Sequence, residues 1–176
     1  MVVGIDVYHD KSQKMPSVAA VVATMNNTST QWASQVVFQD SKQELVDGLR
    51  AALVKLLEAY YQRNTHWPTS MIVFRDGIGD SQIETSGRIE LDQLARTFFK
   101  VTEITHRKFG FVVVQKRIMT RLIDAGGDNP PPGTVVDQII TKKQMKDFFL
   151  VSQKVNQGTV SPTHYVSNHG FLIVSV

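Results

Sequence analysis

Cysteine is absent from this 176-residue chain. That excludes disulfides and thiolate metal sites and leaves oxygen and imidazole groups as the available ligands. It also fits an intracellular location. Long apolar runs are missing too: none reaches the roughly 18 residues of a membrane span, so a membrane is not an expected partner. The opening MVVGIDVYHD lacks a basic n-region and breaks its apolar stretch with Asp6, so it reads as a strand and not as a signal peptide. Without a secretory signal, the overlapping glycosylation sequons at Asn26 and Asn27 are discounted. A dominant charge of one sign is lacking as well. The formal net charge of +3 tolerates a polyanionic partner without demanding one. Clustering says more than the sum, because Lys116, Arg117 and Arg121 fall together, as do Lys142, Lys143 and Lys146.

With 42% hydrophobic and 20% charged residues the composition is that of a globular protein. There is no internal repeat, low-complexity segment or domain boundary, so residues 1–176 are read as a single domain. Val2 to Val7, Ser17 to Thr24 and Gln35 to Phe38 are short β-branched runs separated by turn-forming stretches, which predicts an antiparallel meander. The period then changes. Leu45, Leu49, Leu53, Leu56, Leu57 and Tyr60 recur every three or four residues, which marks an amphipathic helix. Ser41-Lys42-Gln43-Glu44 fits a capping box at its start. Met71 to Phe74 is a buried strand ending in Arg75-Asp76-Gly77. A second helix is expected from Ser81 to about Lys100, weakened in its middle by Gly87. Phe111 to Val114 is the next strand. Asp124 to Gly133, with three glycines and three prolines, is a loop. Thr134 to Val136 and Phe148 to Val151 read as short strands.

The fold class is therefore α/β: a mixed sheet, first an antiparallel meander and then parallel βα units, flanked by helices. This is the layout of the RNase H-like fold, in which the first and fourth strands lie side by side and parallel. Asp6, late in the first, and Asp76, ending the fourth, would then meet. Asp6 stands where a core strand prefers an apolar residue, and an unpartnered buried polar group costs on the order of 2–7 kcal/mol. A cation would offset that cost. Taken singly, each aspartate also reads as turn chemistry, with Gly77 and Gly79 permitting positive φ. Taken as a pair on neighbouring strands, they suit Mg²⁺, which takes oxygen ligands. Two such ions about 3.5–4 Å apart would need further ligands, for which Glu44 and His164 are the candidates. Glu44 also reads as the last member of the capping box, and a lone loop histidine such as His164 is more often solvated or packed. Lys116, Arg117 and Arg121 follow a strand and suit phosphate contacts or a solvated strand end. Lys142, Lys143 and Lys146 read as plain surface. Phe98, Phe99, Phe109 and Tyr165 read as core.

In order along the chain, VVGIDVYHD, PSVAAVVATMN, FQDSKQELVDGL, IVFRDGIGDSQ, VVVQKR, PPGTVVDQIIT, DFFLVSQ and GTVSPTHY resemble the Piwi domain of Argonaute proteins, the Piwi clade more than the Ago clade. The resemblance covers the chain to about residue 165, and the tail from 166 to 176 departs from it. It implies a small-RNA-guided endoribonuclease of the piRNA type, acting in RNA-mediated gene silencing. The catalytic tetrad would be Asp6, Glu44, Asp76 and His164. Asp6, Asp76 and His164 would ligate Mg²⁺ or Mn²⁺, two ions in all. Gln115, Lys116 and Arg117, with Arg121, would track guide phosphates. Implied partners are a small guide RNA, a target RNA and other Piwi-pathway proteins, with cytoplasmic or nuclear residence. The PAZ and MID regions that precede this domain in the family do not occur in the sequence. A second reading is therefore a non-cleaving RNA-binding or protein-interaction fragment. A third, a transposase or other RNase H-fold nuclease, fits the two aspartates but not the ordered segments.

Overall fold

The structure, a computed structural model, describes residues 1–8, 15–39, 48–103, 108–141 and 145–168. Alternating β-branched residues build β1 (Val2–Tyr8), β2 (Ser17–Thr24) and β3 (Trp32–Gln39), an antiparallel meander in which Asp6 faces Ala20 across the ladder. Helix α1 (Leu49–Asn64) follows, then β4 (Ser70–Asp76). Next come a single turn α2 (Asp80–Gln82), a π-helical stretch (Ile83–Gly87) and α3 (Arg88–Thr102). Strands β5 (Lys108–Gln115), β6 (Val135–Val136), β7 (Met145–Leu150) and β8 (Thr163–Asn168) complete the order. Among the described residues these form one eight-stranded sheet, β3-β2-β1-β4-β5-β8-β7-β6. Strand β4 is parallel to both β1 and β5, and every other pairing is antiparallel.

The expected mixed sheet and the β1–β4 neighbourhood are thus present. Three details differ from the sequence reading. The helix expected over 81–100 is broken into α2, the π stretch and α3. The break ends at Gly87, which is buried near Ile78, and a glycine inside a helix weakens it. Strand β3 begins at Trp32 and β7 at Met145, because ladder pairing to β2 and β8 extends each beyond its apolar run. The extended segment around His164 is a strand paired on both sides, an element the sequence reading did not count. The proposed capping box, Leu45 and Glu44 lie outside the described residues.

One sheet face is covered by α1 and α3. Val3, Ile5, Val21, Val73, Phe109 and Phe111 alternate into it, as the period of two requires. From α1 the face is met by Leu49, Ala52, Leu53, Leu56, Leu57 and Tyr60, and from α3 by Leu94, Ala95 and Phe98. Each large side chain so buried contributes about 1.5–3 kcal/mol. Truncating Leu57 to alanine at the centre of this layer would cost about 2–5 kcal/mol. Phe98, Phe99 and Phe109 pack against one another, as the core assignment expects, and Tyr165 stacks on Phe148. No described helix is long and apolar enough to cross a membrane.

Candidate active site at the C-terminal edge of the sheet

The parallel strands β1, β4 and β5 end at one edge of the sheet, and there the chain forms a cleft of about 970 Å³. Open α/β sheets bind ligands at the carboxyl ends of their strands because no further strand fills that space. Asp6, Asp76, Gln115, Lys116, Asp147 and His164 all line this cleft.

The aspartates arrive by register. Ile5 pairs with Arg75, so the next residues, Asp6 and Asp76, lie side by side where the two strands end. Val3 and Ile5 of β1, and Val73 and Arg75 of β4, are buried on the helix side, so alternation turns both aspartates to the other side. Asp6 accepts the amide of Val7 through Oδ1 at 2.9 Å. Asp76 is followed by Gly77 at φ +93°, a conformation that side-chain-bearing residues rarely adopt, and after this turn Gly77 to Asp80 line the cleft.

The turn is braced from below by the fully buried guanidinium of Arg75. Its Nε donates to Glu90 Oε2 at 2.7 Å and its Nη2 to Oε1 at 3.1 Å, a two-pronged pair between β4 and α3. Its Nη1 donates to the carbonyl of Asp76. The residue before the candidate aspartate therefore fixes that aspartate's backbone. Sequence reasoning missed this pair, and its one signal was two charges in otherwise apolar segments.

Lys116 lies on the same side as the aspartates. Its Nζ donates to Asp76 Oδ2 at 2.5 Å. That hydrogen bond is the main cause that holds the ammonium above the usual lysine range; burial opposes it, and the fields of Asp76 and Asp6 add to it. Asp76 thus holds a cation in this cleft, the protein's own lysine.

His164 arrives differently. It pairs with Gln115 of β5 and with Phe149 of β7, on the sheet side opposite to Asp76. Its ring is buried and stacks on Phe149 at 4.2 Å with 5° between planes. Nε2 meets Asp147 Oδ2 at 2.7 Å, and Nδ1 meets Gln115 Oε1 at 2.8 Å. Gln115 Nε2 in turn donates to Ile78 O at 3.2 Å and Asp80 Oδ1 at 3.0 Å. Asp147 was missed by sequence reasoning, although a carboxylate inside MKDFFL carries the same signal as the one inside VVGIDVY.

Of the candidate ligands, Asp6 and Asp76 are brought together. His164 shares their cleft with both ring nitrogens held by protein groups, and Glu44 is outside the described residues. Among the described residues no three acidic or histidine side chains gather as a metal cluster. Of the candidate RNA contacts, Gln115 spends its amide on internal bonds. Lys116 is bonded to Asp76, and exposed Arg117 lines the cleft. Arg121 Nη1 donates to Ile118 O and Thr120 O at 2.9 Å and to Ser161 Oγ at 3.2 Å, tying its loop to the segment before β8.

Known proteins resemble this chain in sequence and in fold. The chain is 49% identical to protein argonaute-3 of Drosophila melanogaster over 169 residues, 94% of this chain and 19% of that protein. It thus spans about a fifth of the length of the curated relatives it matches. The crystal structure of the C-terminal lobe of a budding yeast Argonaute superposes with a TM-score of 0.85 at 25% identity, covering 99% of this chain and 38% of that one. That of Drosophila Piwi superposes with a TM-score of 0.77 at 29% identity, covering 94% and 23%. The Piwi domain model matches residues 1–170, and the chain belongs to the Piwi domain family.

Proposed function

We propose that this chain is the catalytic core of a small-RNA-guided endoribonuclease of the piRNA type, hydrolysing target RNA with a divalent cation in RNA-mediated silencing inside the cell. The observation that carries the reading is the pair Asp6 and Asp76, set side by side at parallel strand ends with a lysine ammonium drawn to them.

The donor set fits Mg²⁺ or Mn²⁺. Two carboxylates facing an open cleft match a hard cation that keeps several waters and is commonly held by one or two carboxylates plus substrate phosphate. Asp6 and Asp76 would hold it, with Glu44 and His164 completing the tetrad that the family resemblance implies. When bound, two such ions supply Lewis acidity toward a phosphodiester and its attacking water. The remaining work falls to the protein. Arg75 and Glu90 fix the backbone of Asp76. Lys116, bonded to Asp76 Oδ2 within the cleft, would offer its ammonium to a phosphate oxygen. Arg117, with Lys116, offers positive charge along the rim, and such contacts position a backbone without reading sequence. Choice of target would come from pairing with a guide RNA, the protein sensing duplex shape.

A non-cleaving RNA-binding or interaction role is the second reading. It is favoured by His164, both of whose ring nitrogens are bonded within the protein. One experiment separates the two. The chain, alone and within its full-length protein, is incubated with guide and labelled target in Mg²⁺, with and without Asp76→Ala. Cleavage abolished by the substitution supports the first reading, and cleavage that survives it sinks the assignment. RNA binding without any cleavage favours the second.

A further inference from the structure

Asp147 is a carboxylate that the proposed function leaves unused, yet its side chain has 0% exposure and faces the cleft's histidine. We infer that Asp147 is a positioning residue for His164 and that Gln115 only covers the ring's other nitrogen. Asp147 is the fixed partner of Nε2 and Gln115 the exchangeable partner of Nδ1, so Nδ1 is the ring atom that a cation in the cleft would meet. The inference rests on the reading of His164 as a site residue.

Three adjacent strands build the arrangement. Gln115 and Phe149 both pair with His164, and Asp147 pairs with Val166 two residues on, so all four side chains share one side of β5, β8 and β7. Phe149 fixes the plane of the ring by stacking. Asp147 then fixes its rotation about that plane through the 2.7 Å contact to Nε2. Both groups of this contact are closed to water, with the histidine side chain 6% exposed. Pulling the carboxylate away would strand a buried charge, so this contact persists.

Gln115 is placed for the opposite behaviour. It is only half buried, and its amide nitrogen reaches the loop that follows Asp76, at Ile78 O and Asp80 Oδ1. With its nitrogen so engaged, its oxygen faces Nδ1. Rotation of this one side chain toward solvent opens Nδ1 to the cleft, while Asp147 and Phe149 keep the ring in place. A carboxylate behind one ring nitrogen is how outer partners orient a metal-binding histidine, and losing such a partner typically costs about 10–100-fold in metal affinity.

The test uses the chain itself, Mn²⁺ binding by calorimetry, and the ring ¹⁵N resonances of His164. Asp147→Asn should weaken Mn²⁺ binding about 10–100-fold. In a His164→Ala background the same change should have no further effect. Gln115→Ala should leave binding unchanged or tighten it. Unweakened binding in Asp147→Asn alongside weakened binding in His164→Ala would overturn the inference, and so would a loss in Gln115→Ala equal to that in Asp147→Asn. If Asp147→Asn does not fold, the wild-type chain decides the matter. Titration with Mg²⁺ should move the Nδ1 resonance and leave Nε2 nearly still, and the reverse pattern overturns the proposal. If His164→Ala leaves Mn²⁺ binding intact, the ligand reading of His164 is what fails. Positioning is then judged on the cation-free ring, where Asp147→Asn should shift Nε2 and Gln115→Ala should shift Nδ1, and an unmoved ring would refute it.

Discussion

The aspartate half of the cleft is open and the histidine half is closed, though β5 serves both through consecutive residues. Lys116 reaches across to Asp76 in the open half, and Gln115 reaches back to His164 in the closed half. Water reaches Asp6 and Asp76, so what they hold can be exchanged. His164 and Asp147 are closed to water, so their polar atoms must be satisfied within the protein. The open half receives ligands and the closed half supplies geometry. Beneath the open half lies a second closed pair, Arg75 and Glu90, which gives Asp76 a rigid base.

Substitutions can break this contrast. The largest effect is expected at that rigid base: Glu90→Ala strands the Arg75 guanidinium in the core and should cost about 3–5 kcal/mol in denaturant unfolding. Asp76→Ala should do the reverse, sparing stability within about 1 kcal/mol while lowering cleavage by the full-length protein by about 10²–10³-fold, or about 3–4 kcal/mol of barrier. A comparable loss of stability in both would erase the distinction between base and surface. Asp147→Ala leaves a buried ring nitrogen without its partner and should cost about 1–3 kcal/mol in the same unfolding assay.

The smallest effect is expected at Lys116. Its pair with Asp76 is exposed, so Lys116→Ala should change stability by less than about 1 kcal/mol. The pKa of Lys116 is raised in the folded chain, so its contribution is fully present below the ordinary value of 10.5 and is lost as pH rises through the raised value. Unfolding curves at successive alkaline pH should show a slight extra loss in the wild-type chain that the variant lacks.

The open half was legible in the sequence and the closed half was not, for a physical reason. Asp6 and Asp76 sit on strands whose order along the chain matches the RNase H-like layout, in which the first and fourth strands are parallel neighbours. Their side follows from alternation within each strand. The environment of His164 depends on how β7 and β8 dock on β5 after the glycine- and proline-rich loop from 124 to 133, and no local pattern sets that register. The residue was visible as a candidate, but its partners Asp147 and Gln115 required the ladder. The break at Gly87 was visible as a weakness, whereas its π-helical form was not.

The central claim, that the aspartate pair is a divalent-cation site, is tested most directly by Mn²⁺ binding to this chain, followed by electron paramagnetic resonance, in the wild type and in Asp6→Asn and Asp76→Asn. The account predicts saturable binding in the wild type that each substitution removes or weakens by at least about tenfold, the loss of one charged oxygen ligand being worth 1.4 kcal/mol or more. Equal binding by all three chains would contradict it.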